Sequence, residues 1–167
     1  MKLYFYDKKC GHKREQTDMM IRESLKEYIS GHSLPSYDGR ILRTELGKPY
    51  IDYPLYIGVT HTDEVVIVGI DDNEFGIDAE KSGRKMPRRE AIIKKFFTSD
   101  ECALVENAKD RDEAFLNIWV KKEAYVKFTG IGLSGMKACD VTALSGFEKV
   151  ENNRDLIIYI YKEKQYE

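Results

Sequence analysis

The chain has 167 residues, enough for one ordinary domain or two small halves sharing a core and too few for a multidomain assembly. With 42% hydrophobic and 34% charged residues, its composition is far from that of a disordered chain. Lys and Arg number 27 against 29 Asp and Glu, a net charge of −2, which excludes a global positive field for nucleic acid or an anionic membrane.

Residues 2–6 read as a first strand that stops at Asp7, and 13–30 as a helix whose Met19, Met20, Leu25, Tyr28 and Ile29 supply the apolar positions. The stretch 31–54 is rich in Gly, Pro, Ser and Asp and is expected to be loop around one extended piece near 48–52. Two strands follow at 55–60 and 64–70, joined tightly through His61-Thr62-Asp63, then another at 75–80. A helix is expected at 88–97, a second opened by Thr98 or Ser99 as N-cap, and a third over 112–129 with Gly130 as C-cap. A hairpin of 141–150 with 155–161, turning at Asn152-Asn153, completes the reading.

This order predicts an α+β fold of two similar halves packed against each other within one domain, 1–73 and 74–167, with a ligand favouring their interface. No apolar run is long enough for a leader or a membrane span, so a cytoplasmic protein is expected. Cys10, Cys102 and Cys139 are odd in number and widely spaced, and read as reduced thiols outside any disulfide framework or metal set.

Four features carry chemistry. Asp78 and Glu80 stand two apart on a strand and project from one face, either as a solvated polar face or as oxygen ligands for a hard cation such as Mg²⁺. On the third helix, at about 100° per residue, Glu123 falls between Trp119 and Leu116, and Lys127 between Leu116 and Val120. Two charges therefore interrupt an apolar sector, which suits groups lining a cleft better than a surface ion pair; Lys122, beside Phe115 and Ile118, shares the anomaly. Thr60-His61 ends a strand with a hydroxyl and an imidazole, and Gly47-Lys48-Pro49 is a turn that fixes one lysine beside a rigid ring. Gly130-Ile131-Gly132 follows a helix and lacks the strand and third glycine of a dinucleotide loop, so phosphate handling falls to side-chain cations and a metal.

From about residue 47 to 133 these blocks resemble the 4′-phosphopantetheinyl transferase superfamily, in its longer Sfp-type branch with two similar halves in one chain. Phe75-Gly76-Ile77-Asp78-Ala79-Glu80 looks like the family's Gly-Ile-Asp-x-Glu block, and Trp119 to Lys127 looks like its Trp-x-x-Lys-Glu-Ala-x-x-Lys block. Phe97-Thr98-Ser99-Asp100-Glu101 is similar to its Phe-Ser/Thr-x-x-Glu, and Gly47-Lys48-Pro49, Thr60-His61, Gly130 and Gly132 match further motif positions. Gly58 departs from the Asn that often precedes the Ser-His element, and Ala79 from a larger apolar residue.

The resemblance implies Mg²⁺-dependent transfer of the phosphopantetheine arm of coenzyme A to a serine of an acyl or peptidyl carrier protein, releasing adenosine 3′,5′-bisphosphate. It implies Asp78, Glu80 and Glu123 as metal ligands, Lys122 and Lys127 on phosphate oxygens, and Lys48, Pro49, Thr60 and His61 at the nucleotide end. Glu123 and Lys127 would be the catalytic pair, with Glu123 or a metal-bound water as proton acceptor. Glu101 either joins the metal or caps its helix; Lys13, Arg14 or Arg22 are candidates for the 3′-phosphate, in an N-terminal region expected to be short for this branch. A monomer is expected, with Arg84, Lys85, Arg88 and Arg89 receiving the acidic carrier. The alternative is a non-catalytic module of the same fold that binds coenzyme A or a carrier.

Overall fold

The computed structural model describes residues 1–9 and 11–163, so Cys10 lies outside the described residues. The chain divides between Phe75 and Gly76 into two compact α+β units.

The first unit comprises β1 (Lys2–Asp7), α1 (Arg14–Gly31), β2 (Leu42–Arg43), β3 (Pro49–Tyr50), β4 (Tyr56–His61) and β5 (Val65–Asp71). Ile21, Leu25, Tyr28 and Ile29 recur at helical spacing on α1 and are buried, with Tyr4, Ile57, Val68 and Ile70 in the same core. All seven residues of β5 are buried, as befits the central strand of an antiparallel sheet ordered β1-β5-β4. The extended piece near residue 50 is a two-residue ladder with β2.

The second unit comprises β6 (Gly76–Lys81), α2 (Arg89–Phe96), α3 (Ser99–Asn107), α4 (Arg111–Thr129), a 3₁₀ helix (Leu133–Ala138), β7 (Phe147–Lys149) and β8 (Leu156–Tyr161). Its sheet is again antiparallel and ordered β6-β8-β7. In both units the first strand leads into helix and the last strand lies between the other two, so the chain repeats one topology.

Local chemistry explains most boundaries. Thr98, not Ser99, is the N-cap of α3: its hydroxyl accepts from Glu101 N and its own N–H donates to the Glu101 carboxylate, a reciprocal capping box. Asp110 caps α4, accepting from Glu113 N at 2.9 Å, and Gly130 ends it in the left-handed region at φ 69°.

The expected strand 141–150 shortens to Phe147–Lys149. The Val141 N–H donates to the buried Glu101 carboxylate, so no ladder partner receives it. Asp140 accepts from Thr142 N and its hydroxyl to make a turn, and Gly146 has φ 107°. Among the described residues no helix is long and apolar enough to cross a membrane.

Candidate active site

Gly76 sets the distance between β6 and α4. A Cβ there would lie 2.0 Å from the Ala124 carbonyl oxygen and 2.6 Å from Phe128 N, so the helix rests directly on the strand only because the side chain is missing. Since Gly76, Asp78 and Glu80 alternate onto one face, the same approach carries both carboxylates to α4.

Lys127 Nζ donates to Asp78 Oδ1 at 2.7 Å. Arg84, after the strand, donates to Glu80 Oε2 at 2.5 Å. Between them Glu123 carries the dominant electrostatic signature. Burial pushes its carboxyl up to about 7, the charges of Asp78 and Glu80 push the same way, and Lys127 opposes them. The structure thus brings Asp78, Glu80, Glu123 and Lys127 into one cluster.

Three hard oxygen donors beside one another, one of them pushed up to about 7 first by burial and then by its neighbours' negative charge, are the donor chemistry that a divalent cation relieves. Among the described residues no three such side chains already stand at metal-holding distances, because Asp78 and Glu80 are turned to Lys127 and Arg84. In donor type the three carboxylates suit Mg²⁺.

Lys122 and Glu101 have a different destination. Both are fully buried, and Lys122 Nζ donates to the two Glu101 carboxylate oxygens at 2.8 Å and to the Cys139 carbonyl oxygen. Glu101 also accepts from Thr98 N and, at 2.9 Å, Val141 N. Every strong donor and acceptor of the pair is satisfied inside the second unit, which is what a buried ion pair requires. The expectation of Lys122 on phosphate is therefore corrected: its ammonium is spent in the core. Glu101 caps its helix and anchors this pair.

In the first unit, Lys48 and Pro49 line a cavity of about 320 Å³ together with Thr44, Tyr50, Tyr56 and Glu74. Lys48 Nζ lies 3.6 Å from Glu74 Oε1. Thr44 closes the turn, accepting from Lys48 N through its hydroxyl at 3.0 Å. Thr60 and His61 are not among the cavity's lining residues; on β4 Thr60 is buried and His61 exposed.

Of the cations expected to receive a partner protein, Arg84 is held by Glu80, and Arg89 by Glu90 and Asp112. The Arg84 contact escaped the sequence reading; its only trace there is a spacing of four from Glu80 across a strand end. Cys102 and Cys139 are free thiols, and burial pushes the Cys139 thiol up to about 11, where it is inert.

The family model described as the 4′-phosphopantetheinyl transferase superfamily matches residues 74–161, more than half of the chain. The 4′-phosphopantetheinyl transferase Sfp of Bacillus subtilis is 33% identical over 135 residues, 78% of this chain and 57% of the relative. The 4′-phosphopantetheinyl transferase gsp of Aneurinibacillus migulanus is 23% identical over 150 residues, 89% of this chain and 58% of the relative. An L-aminoadipate-semialdehyde dehydrogenase-phosphopantetheinyl transferase of Homo sapiens is 29% identical over 130 residues, 69% and 41% of the two lengths. The chain spans little more than half the length of the first two relatives.

Proposed function

The chain belongs to the 4′-phosphopantetheinyl transferase superfamily, and from that premise we propose that it transfers the 4′-phosphopantetheine arm of coenzyme A to a serine hydroxyl of an apo acyl or peptidyl carrier protein, releasing adenosine 3′,5′-bisphosphate. The observation that supports this most is Glu123, whose carboxyl sits at about 7 beside Asp78, Glu80 and Lys127.

Asp78, Glu80 and Glu123 would hold Mg²⁺, which supplies charge neutralisation at a pyrophosphate under attack. Lys127, already within hydrogen-bond distance of Asp78, is the mobile cation for a phosphate oxygen. Glu123 would accept the proton of the attacking serine, or position a water that does. Lys48, Pro49, Thr60 and His61 take the nucleotide end, with Lys48 and Pro49 already lining a cavity of that unit. Lys122 acts from behind, fixing the helix that carries Glu123.

The test is the intact mass of apo acyl and apo peptidyl carrier proteins after incubation with this protein, coenzyme A and Mg²⁺. A gain of one phosphopantetheine group, lost with chelator and with Glu123→Ala, is expected. A folded protein that binds coenzyme A and modifies neither carrier would overturn the catalytic reading.

A further inference from the structure

The face of the second sheet that carries α4 has two charged margins. Asp78 on β6 and Lys149 on β7 each stand opposite Tyr159 of the central strand. Residues opposed in an antiparallel pair project from the same face, so Asp78, Tyr159 and Lys149 form one row across the sheet, with Phe147 opposite Tyr161 in the next. From α4, Lys121 reaches over the β7 margin, its Nζ 5.0 Å from the ring centre of Tyr159 and 5.6 Å from that of Phe147. Two helical steps turn Lys121 by about 200° from Glu123, so this margin is separate from the acidic cluster.

Lys121, over the Tyr159 ring, and Lys149, opposite Tyr159 in the strand register, bring two positive charges to one margin of the sheet. Among the described residues neither lysine has a carboxylate partner. Glu148 alternates to the opposite face of β7, Glu113 acts on the Tyr159 hydroxyl, and that hydroxyl is bound to Asn117 at 2.9 Å. A lysine on a short edge strand commonly blunts edge pairing. That accounts for Lys149 but not for a second lysine drawn from the helix to the same margin of the sheet.

We infer that Lys121, held over the rings of Tyr159 and Phe147, and Lys149, opposite Tyr159 on the edge strand, form a binding site for a dianionic phosphoryl group. Two ammonium point charges match the charge of about −2 that a phosphate monoester carries near neutrality. The rings exclude water from one side, so the attraction is screened less than at an open surface. The group can be a free phosphate or a phosphorylated side chain of another protein.

The full chain labelled with ¹³C at lysine Cε, titrated with inorganic phosphate at constant ionic strength, tests this without reference to transferase activity. Lys121 and Lys149 signals, assigned through Lys121→Arg and Lys149→Arg, are expected to move together on one saturating curve, while exposed Lys94 drifts linearly. Lys149→Gln should weaken the response at Lys121 at least tenfold, with the backbone amide spectrum otherwise preserved. Linear drift of both lysines at the slope of Lys94 would overturn the site. A phosphoserine peptide that saturates below inorganic phosphate, while its unmodified twin does not, assigns the site to phosphorylated protein; equal midpoints assign it to small phosphates.

Discussion

Lys122 and Glu101, 21 residues apart in sequence, meet as a buried ion pair that ties α4 at once to the first turn of α3 and to the carbonyl of Cys139. The residue next to Lys122 is Glu123, at the acidic cluster. One position of the helix is wired into the core while its neighbour faces β6, so the rotation of α4 about its axis, and with it the aim of Glu123, is set by the buried pair.

Lys122→Met leaves the Glu101 carboxylate buried with two backbone donors and no cation. A loss of about 3–5 kcal/mol is expected in denaturant unfolding. Adding Glu101→Gln should recover much of it, since the uncompensated charge is then gone. Equal stability of the single and double variants would show that the pair does not hold the helix.

The carboxyl of Glu123 titrates at about 7 in the folded chain against an ordinary 4.5 when unfolded. Between these values the folded state binds more protons, so without metal stability falls as pH rises across that window and stays low above it. Glu123→Gln should match the parent at pH 4.5 and exceed it at pH 8, by up to about 3 kcal/mol. Calorimetry at the two pH values reads the difference, and excess Mg²⁺ should reverse the order at pH 8.

Arg84 competes for the Glu80 carboxylate. Arg84→Ala removes one positive charge beside the proposed cation and should tighten Mg²⁺ binding on the order of tenfold. Titration calorimetry against Mg²⁺ checks this; an unchanged midpoint would mean that Glu80 does not reach the metal.

Gly76→Ala places a methyl group 2.0 Å from the Ala124 carbonyl oxygen, where only backbone movement can relieve the clash. A stability loss of about 1–3 kcal/mol is expected, together with loss of the raised Glu123 titration as α4 lifts from β6. Nuclear magnetic resonance titration of the Glu123 carboxyl carbon reads the second effect independently of folding.

Much of this is legible in the sequence. The capping pattern Thr98-x-x-Glu101 and the helix stop at Gly130 are local, and local signals survive into the fold. Asp78 and Glu80 sharing a face follows from the period of a strand. The helical wheel marked both Lys122 and Glu123 as charges in an apolar sector, but a wheel is one-dimensional. It cannot tell a charge that meets its counter-ion in the core from one that opens on a cluster. The deciding partner, Glu101, lies on another helix, and its local pattern left it open between a metal ligand and the helix cap it forms. The misplaced strand start at 141 has the same origin, because the Val141 N–H is claimed by that carboxylate and not by a neighbouring strand.

The strand order of the two sheets sets when each can be completed during synthesis. β5 and β8 are the last strands of their units to be made, yet each is the one on which both neighbours pair. Until residues 156–161 emerge, β6 and β7 have no ladder to join, and α4 lacks the sheet surface that Tyr159 and Tyr161 complete. The second sheet therefore closes only over the long separation between residues 76–81 and 156–161, a non-local pairing of the kind that slows folding, whereas the first sheet has all its strands once residue 71 is made.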